Sequence, residues 1–225
     1  AAAERVLQRR YALEVMAQGA TLADPARFDL RGKLTVGRDV FIDVGAVFTG
    51  NVVLGDRVRI GSNSAVSESS LGEDCLVHEH CVIDGVIAGA SCEIGPFARL
   101  RPGTEFQERV KVGNFVEVKA SKVAPGSKMN HLSYVGDTSV GRDVNVGAGT
   151  ITCNYDGAAK HRTQIGDEVF VGSGVMLVAP LEVGAGATIA AGSTITKNVP
   201  GEALAVGRNR QSTVKGWKRP RKSTK

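Results

Sequence analysis

One histidine of this chain lies among side chains that could carry out chemistry together. His131 belongs to "MNHLSYVGD" at 129–137 and is one of four histidines in the protein. Histidine suits proton removal near neutral pH, because its reference pKa is about 6.5. Arg and Lys are suitable partners for a phosphate. Polar residues of these kinds flank His131: Arg101, Glu117, Lys119, Tyr134, Asn145, Asn154, Tyr155 and Lys160.

The elements that would position these residues follow a six-residue repeat. Small aliphatic residues recur every six positions in two phased runs: Val36, Ile42, Phe48, Leu54, Ile60 and Val66, then Ile165, Val171, Leu177, Val183, Ile189 and Ile195. A period of six fits neither an α-helix nor a heptad. It predicts short strands with a corner at each repeat and one inward aliphatic side chain per hexad, as in hexapeptide β-helices.

Two other fold classes fit the chain less well. An antiparallel sandwich should show turn signals about every 8–12 residues, and a doubly wound α/β fold needs amphipathic helices between its strands. We find no convincing helical stripe from 34 to 199. The sequence therefore predicts an all-β parallel β-helix. Successive coils of such a solenoid stack, so polar residues at breaks in the repeat can form one binding edge.

The two ends differ from the repeats. Leu7, Tyr11 and Val15 have helical spacing within 4–18, which predicts a short N-terminal α-helix. Six of the 28 Lys and Arg residues lie in the tail 215–225, so the rest of the chain carries 22 basic against 23 acidic residues. We interpret this tail as a solvated end, and the sequence has no recognised nucleic-acid-binding motif.

Composition also bears on cellular location, membrane insertion and metal binding. The four cysteines have no CxxC spacing, which predicts reduced thiols of a cytoplasmic protein. No signal peptide and no apolar run near about 18 residues is present, so we expect no membrane insertion. His78 and His80 would share one face of a strand, but a zinc site needs a third ligand close by. We therefore interpret them as surface histidines.

Several longer motifs resemble the acetyltransferase half of the bacterial bifunctional GlmU family nearly word for word. They are "GPFARLRPG", "VGNFVEVK", "HLSYVGD", "VNVGAGTITCNYDG" and "IGDEVFVGS". In this family a glucosamine-1-phosphate N-acetyltransferase is joined to an N-acetylglucosamine-1-phosphate uridylyltransferase. The resemblance implies a left-handed parallel β-helix and a homotrimer with sites between subunits. It departs from the common family wording at Asn130, where Gly is frequent, and at Ser133, where Thr is frequent.

The resemblance also implies how the chain is divided. Residues 1–22 would be the remnant of an interdomain linker helix, 23–206 the acetyltransferase β-helix, and 207–225 a C-terminal arm with the basic tail. The family's N-terminal uridylyltransferase domain would precede residue 1 and is absent from this sequence, so we expect no uridylyltransferase activity.

The implied reaction is acetyl transfer from acetyl-CoA to the amine of glucosamine-1-phosphate, in UDP-N-acetylglucosamine biosynthesis for peptidoglycan and lipopolysaccharide. His131 matches the family's catalytic base. Arg101, Lys119 and Tyr134 suit the sugar phosphate, and Lys160 and Asn145 match positions that contact the sugar. The cofactor positions are Ala148, Asn154, Tyr155, Ser173, Ala191 and Arg208. Ala148 also matches an oxyanion donor, Glu117 has no settled role, and no metal is expected for this half.

Three other functions stay open on the residues alone. Another hexapeptide acyltransferase, such as a serine or xenobiotic acetyltransferase, would use the same cofactor, although the cluster of Arg101, Lys119 and Lys160 favours a phosphorylated acceptor. A β-helix scaffold without activity would have no reason to concentrate polar residues at its breaks. A zinc-dependent hydratase would need the third ligand noted above.

Overall fold

The computed structural model describes residues 2–219 and consists there of one α-helix, one 3₁₀ turn and 28 short strands. In chain order they are α1 (Ala2–Ala17), β1 (Ala20–Leu22), the 3₁₀ turn (Pro25–Arg27), β2 (Asp29–Val36), β3 (Val40–Ile42), β4 (Val47–Leu54), β5 (Arg59–Ile60), β6 (Ala65–Ser67), β7 (Ser70–Leu71), β8 (Leu76–Val77), β9 (Val82–Asp84), β10 (Val86–Ala88), β11 (Glu93–Ile94), β12 (Arg99–Leu100), β13 (Thr104–Phe106), β14 (Lys111–Asn114), β15 (Glu117–Lys119), β16 (Lys122–Val123), β17 (Lys128–His131), β18 (Tyr134–Gly136), β19 (Thr138–Val140), β20 (Asn145–Val146), β21 (Ile151–Cys153), β22 (Thr163–Ile165), β23 (Phe170–Val171), β24 (Met176–Val178), β25 (Leu181–Val183), β26 (Thr188–Ile189), β27 (Thr194–Ile195) and β28 (Leu204–Ala205).

The strands wind into a three-sided solenoid in which all the strand ladders are parallel. Face 1 stacks 11 strands in the order β1-β3-β5-β8-β11-β14-β17-β20-β23-β26-β28. Face 2 runs from β2 and β4 through β6, β9, β12, β15, β18, β21, β24 and β27. Face 3 continues β2 and β4 through β7, β10, β13, β16, β19, β22 and β25. The predicted parallel β-helix is confirmed, whereas its left-handed winding stays a prediction.

The interior is filled as the six-residue repeat predicts. All twelve aliphatic and aromatic residues of the two phased runs are buried, from Phe48 at 0% exposure to Val36 at 9%. Phe28 and Phe48 pack together in the first coils, with tilted rings and centroids 5.8 Å apart. Because each inward side chain lies above its equivalent in the next coil, one continuous core runs along the solenoid axis.

Helix α1 covers the first coil through a polar residue that the pattern did not identify. The buried Gln8 side chain accepts from Leu30 N at 2.8 Å and donates to Leu30 O at 2.9 Å. It thereby satisfies the open edge of β2. These hydrogen bonds turn Ala12 and Val15 inward, and the expected contribution of Leu7 to an apolar stripe is wrong, since Leu7 is 40% exposed.

Left-handed backbone turns the corners of the coils. Sixteen non-glycine residues of the described chain have φ between 44° and 59°, and most lie at corners. One corner admits only glycine: Gly32 has φ of 152°, and a Cβ there would collide with the carbonyl of Gly50 in the next coil. Large side chains at other corners therefore need their own explanation.

One coil is longer than its neighbours. Lys128 pairs with Asn145 and Phe170 pairs with Thr188, offsets of 17 and 18 residues, whereas Asn145 pairs with Phe170 across 25 residues. The additional residues form the loop 154–162 between β21 and β22. A break in a solenoid repeat is a place for function, since the loop leaves the regular stack.

The ends of the solenoid bear on the predicted boundaries. Strand β1 already pairs with β3 before the predicted domain boundary at 22/23, which stays a prediction. Residues 207–219 have no regular structure, and the end of the predicted basic tail, 220–225, lies outside the described residues. Between residues 2 and 219, the structure has no helix long and apolar enough to cross a membrane.

Candidate active site

His131 lies at the end of β17, where face 1 turns into face 2. Its strand stacks on β14 of the preceding coil, with Asn114 directly above His131. From inside the solenoid, the buried Ser133 hydroxyl donates to the His131 carbonyl at 2.9 Å. The histidine side chain is exposed. The backbone is thus held by the core while the imidazole faces solvent, where it can reach a substrate.

A line of small residues continues from His131 along the same corner. Successive coils contribute one residue each: His131, Ala148, Ser173 and Ala191. Gly174 N donates to Ala148 O at 2.7 Å, and Gly192 N donates to Ser173 O at 2.8 Å. The Arg208 guanidinium donates to the Ala191 carbonyl at the end of this line. Four of the six predicted cofactor positions therefore form one line below His131.

Two lysines meet beside this corner, on face 2. Lys119 lies on β15, and Lys160 comes from the inserted loop. The Lys119 ammonium beside Lys160 lowers the pKa of Lys160, because two positive charges repel. Lys119 Nζ is 3.7 Å from Asp137 Oδ2, and both side chains are less than one-fifth exposed. Paired ammonium groups of this kind are a place for an anion.

Tyr134 and Asn154 complete this polar group. Tyr134 lies on β18, next to β15, and its ring occupies the space above Gly136, where a Cβ would collide with it. The buried Asn154 amide donates to Asp137 Oδ2, and its nitrogen is 3.4 Å from the Tyr134 hydroxyl oxygen. Predicted acceptor residues (Lys119, Tyr134, Lys160) and a predicted cofactor residue (Asn154) therefore share one cluster.

The Asp156 carboxylate makes three contacts inside the inserted loop. Asp156 accepts hydrogen bonds from Ala159 N at 2.7 Å and Ala158 N at 2.8 Å, and its other oxygen is 2.7 Å from His161 Nε2. The Ala159 amide, with the His161 ring and the Ala158 amide, holds the pKa of Asp156 well below its usual range. This network places Lys160 and the exposed Tyr155, which form an antiparallel bridge.

Arg101 reaches the site through Glu117. Arg101 Nη1 donates to Glu117 Oε1 at 2.8 Å, and both side chains are more than one-third exposed. Glu117 lies next to Tyr134 in the strand register of face 2. The carboxylate thus orients a predicted phosphate ligand, and it neutralises part of the positive charge there.

Asn145, a residue predicted to contact the sugar substrate, lies apart from the cluster of Lys119, Tyr134 and Lys160. It is on face 1, between Lys128 and Phe170 in the strand register. Lys119 and Tyr134 point outward from face 2. The two faces meet at the corner that carries His131, so the predicted residues of one chain surround an edge, not a closed pocket.

The premise of a metal-binding histidine pair is wrong. Strand β8 ends at Val77, and His80 has φ of 59°, so His78 and His80 do not alternate along a strand. His78 Nε2 is 3.1 Å from Glu93 Oε1, and the His80 ring stacks on Phe97. Nowhere in the stretch from 2 to 219 do three His, Cys, Asp or Glu side chains form a group that could hold a metal ion.

Sequence reasoning missed the residues that support the site. Asp137, the last residue of the motif at 129–137, has no role that the sequence alone assigns. The buried Ser121 hydroxyl braces the corner of Lys119 from inside: Ser121 Oγ donates to Lys119 O at 2.8 Å and accepts from the backbone N–H of Thr138 at 3.0 Å. A hydroxyl residue at an inward position of the repeat was the available signal.

The comparisons with known proteins first define a class. The profile "Bacterial transferase hexapeptide (six repeats)" matches residues 162–197, and the profile "GMPPB C-terminal domain" matches residues 30–134. A solved Francisella novicida UDP-N-acetylglucosamine acyltransferase superposes with a TM-score of 0.61 at 16% identity, over 83% of this chain and 67% of that one. The corresponding Campylobacter jejuni acyltransferase gives 0.51 at 15% identity, over 83% and 71%. These structures show the shared fold of a hexapeptide-repeat solenoid.

The sequence relatives are more specific. The chain is 59% identical to the bifunctional protein GlmU of Alkalilimnicola ehrlichii over 220 residues, and 55% identical to that of Marinobacter nauticus. Each alignment covers 98% of this chain and 48% of the relative. The chain therefore spans about half the length of these relatives. It matches the C-terminal domain of the GlmU proteins, which confirms the resemblance seen in the motifs.

The loop network leads to a prediction about hydrogen exchange. Asp156→Ala removes the acceptor of two loop amides, so the Ala158 and Ala159 amides should exchange with solvent at least about tenfold faster at pH 7. In the parent, the depressed pKa of Asp156 means that the loop is stabilised above the unfolded value of about 3.9 and loses this stabilisation as pH falls through the folded value. Exchange measured by NMR checks both points, with β22 as internal control. Unchanged exchange at 158–159 would contradict the role of Asp156.

Proposed function

We propose that this chain transfers the acetyl group of acetyl-CoA to the amine of glucosamine-1-phosphate, giving N-acetylglucosamine-1-phosphate. One observation carries the proposal: two lysines converge on face 2 beside the corner that presents His131 above a line of small residues. The match to the C-terminal domain of GlmU proteins supports an acyltransferase with this acceptor. The reaction supplies UDP-N-acetylglucosamine biosynthesis, for peptidoglycan and lipopolysaccharide.

His131 acts as the general base. The attacking amine must lose a proton as its nitrogen bonds to the thioester carbon, and a neutral imidazole can accept that proton. The C–S bond of the thioester breaks, and coenzyme A leaves as a thiolate that takes the proton back from the His131 imidazolium. The exposed imidazole on a backbone braced by Ser133 meets the geometric need, since it can reach a substrate outside the coil without distorting the solenoid.

The phosphate of the acceptor binds at Lys119 and Lys160. A dianion relieves the repulsion between their ammonium groups, and charge-assisted hydrogen bonds are stronger than neutral ones. Tyr134 lies in the same cluster, where its hydroxyl oxygen accepts from the Asn154 amide and its proton can be donated to the phosphate. Arg101 adds positive charge at the far side, oriented by Glu117.

Acetyl-CoA lies along the line that continues from His131. Ala148, Ser173 and Ala191 are small, so an extended pantetheine arm can approach the backbone closely along this corner. Arg208 at the end of the line faces the nucleotide phosphates, and Asn154 with Tyr155 borders the acyl end. The backbone at Ala148 supplies the hydrogen-bond donor for the oxyanion of the tetrahedral intermediate.

The active form is a homotrimer in which a neighbouring chain completes the site. Asn145 lies on a different face from the lysines, so a ligand between two chains can meet both groups. A ladder of large exposed side chains supports a protein partner at this corner: His80, Phe97 and Phe115 stack with centroids 5.0 and 5.2 Å apart, and Leu132 follows at 62% exposure. Exposed apolar ladders of this kind mark interaction surfaces.

The free cysteines support a cytoplasmic location. All four cysteines in the described residues are free, and three of them are buried. Free thiols support a reducing compartment, and we place the protein in the cytoplasm. The expected lack of nucleic-acid and membrane partners stays a prediction.

The first prediction of this proposal is acceptor selectivity. Purified protein should release thiol from acetyl-CoA with glucosamine-1-phosphate, without added metal and in the presence of chelator. Plain glucosamine should be at least about a hundredfold poorer in kcat/KM, because two charge-assisted hydrogen bonds are lost. Lys119→Met should remove most of this preference, whereas Lys122→Met, at an exposed lysine of face 3, should keep it. Equal rates with both acceptors would refute the phosphate site, and loss of activity on chelation would refute metal independence.

The second prediction concerns His131. A general base typically contributes roughly 10²- to 10⁴-fold to the rate, so His131→Ala should lower kcat by that factor and leave acetyl-CoA affinity nearly unchanged. His131→Asn should be no better, because an amide cannot accept the proton. His78→Gln is the control. A His131→Ala variant that keeps more than about a tenth of kcat would exclude the base role.

The third prediction concerns assembly. Light scattering of the parent should give three times the chain mass of 23.6 kDa. Phe115→Asn tolerates the left-handed corner, with φ of 56° in the parent, and removes only the ring. It should dissociate the trimer and lower activity together with it. Val53→Asn, at an exposed apolar residue of face 3, is the matched control. A monomeric parent with full activity would contradict the model of shared sites.

A further inference from the structure

Asp137 differs from the other carboxylates at the corners of the solenoid. Six other acidic residues of the described chain have the same left-handed backbone, and all six are exposed: Asp39, Glu68, Asp74, Asp143, Glu168 and Glu202. The Asp137 side chain is only 18% exposed. Its backbone N–H donates to the Lys119 carbonyl at 3.0 Å, which fixes the corner to the coil above.

The carboxylate of Asp137 lies between Lys119 and Asn154 in the polar cluster. One oxygen, Oδ2, accepts from the Asn154 amide and lies 3.7 Å from Lys119 Nζ. The same negative charge opposes the repulsion that Lys119 exerts on Lys160. A half-buried carboxylate with these neighbours is a shared counter-ion and not a solvated corner residue.

We propose that Asp137 is a positioning residue of the acyl transfer: it holds Lys119 and Asn154 from one carboxylate oxygen, so that the acceptor-phosphate site and the donor loop keep one geometry. This inference rests on the proposed function. Without the carboxylate, Lys119 and Lys160 would move apart, because nothing would offset the repulsion between their charges before the phosphate binds.

Two substitutions separate the charge from the hydrogen bond. Asparagine tolerates the left-handed backbone of residue 137, where φ is 50°, and its amide oxygen can still accept from Asn154. Asp137→Asn therefore removes only the charge. Glycine also tolerates this backbone, so Asp137→Gly removes the charge and the acceptor without straining the corner. Asp143→Asn is the matched control, because Asp143 has φ of 51° and is exposed.

The experiment combines steady-state kinetics with calorimetric binding of glucosamine-1-phosphate and of acetyl-CoA. Asp137→Asn should raise the acceptor KM and Kd about tenfold while those for acetyl-CoA change less than about twofold. Asp137→Gly should weaken both ligands by about tenfold, since the Asn154 anchor is lost as well. Asp143→Asn should match the parent, and all variants should keep its thermal midpoint within a few degrees.

Two results would overturn this role of Asp137. The first is an acceptor KM and Kd of Asp137→Asn within twofold of the parent. The second is an equal loss for both ligands in Asp137→Asn together with a lowered thermal midpoint, which would mark a merely structural residue. A parent that binds both ligands but transfers no acetyl group would refute the proposed function alone, and the same selective loss of acceptor binding in Asp137→Asn would still support the inference.

Discussion

The vertical register between coils is the constraint on which the rest of the structure depends. Each coil must return to the same corner, after 17 or 18 residues in the regular coils and 25 in the longest, because the parallel ladders on all three faces pair every strand with the one a coil away. Inward aliphatic residues such as Ile60 and Leu177 hold this register, since a shift by one residue would turn the core outward. A rigid stack of this kind holds the backbone of every outward-facing corner residue in a fixed position.

The candidate site follows from that register. Residues far apart in sequence, Lys119 and Asn154 among them, meet at the Asp137 carboxylate because they lie in the coils before and after its own. The inserted loop adds what the regular coil cannot, since Lys160 reaches back over face 2 only because this coil is longer. The polar cluster is therefore assembled at this longer coil, while the coils above and below keep its geometry constant.

The repeat could be predicted from sequence because a period of six has few structural explanations, and every inward residue that it identified is buried. The hydrogen bonds that support the helix and the site could not be predicted from the sequence. Gln8 covers an edge and Ser133 braces His131, and both roles depend on which backbone groups happen to lie opposite these side chains. Likewise, Asp137 follows a glycine as in many turns. Only the structure brings its carboxylate between Lys119 and Asn154.

The corner above His131 carries large side chains at left-handed backbone positions, which lowers the stability of the single chain. Left-handed backbone costs an L-residue about 1–2 kcal/mol, and Gly, Asn and Asp adopt it most easily. Gly149, Gly174 and Gly192 occupy this corner in the coils below His131, whereas Phe97, Phe115 and Leu132 occupy it above and beside the histidine. Stacking of the rings offsets part of that cost, but their outer faces stay exposed. Glycine keeps the backbone of the lower coils accessible along the proposed acetyl-CoA line, and the large side chains of the upper coils supply the bulk that packing against another chain requires.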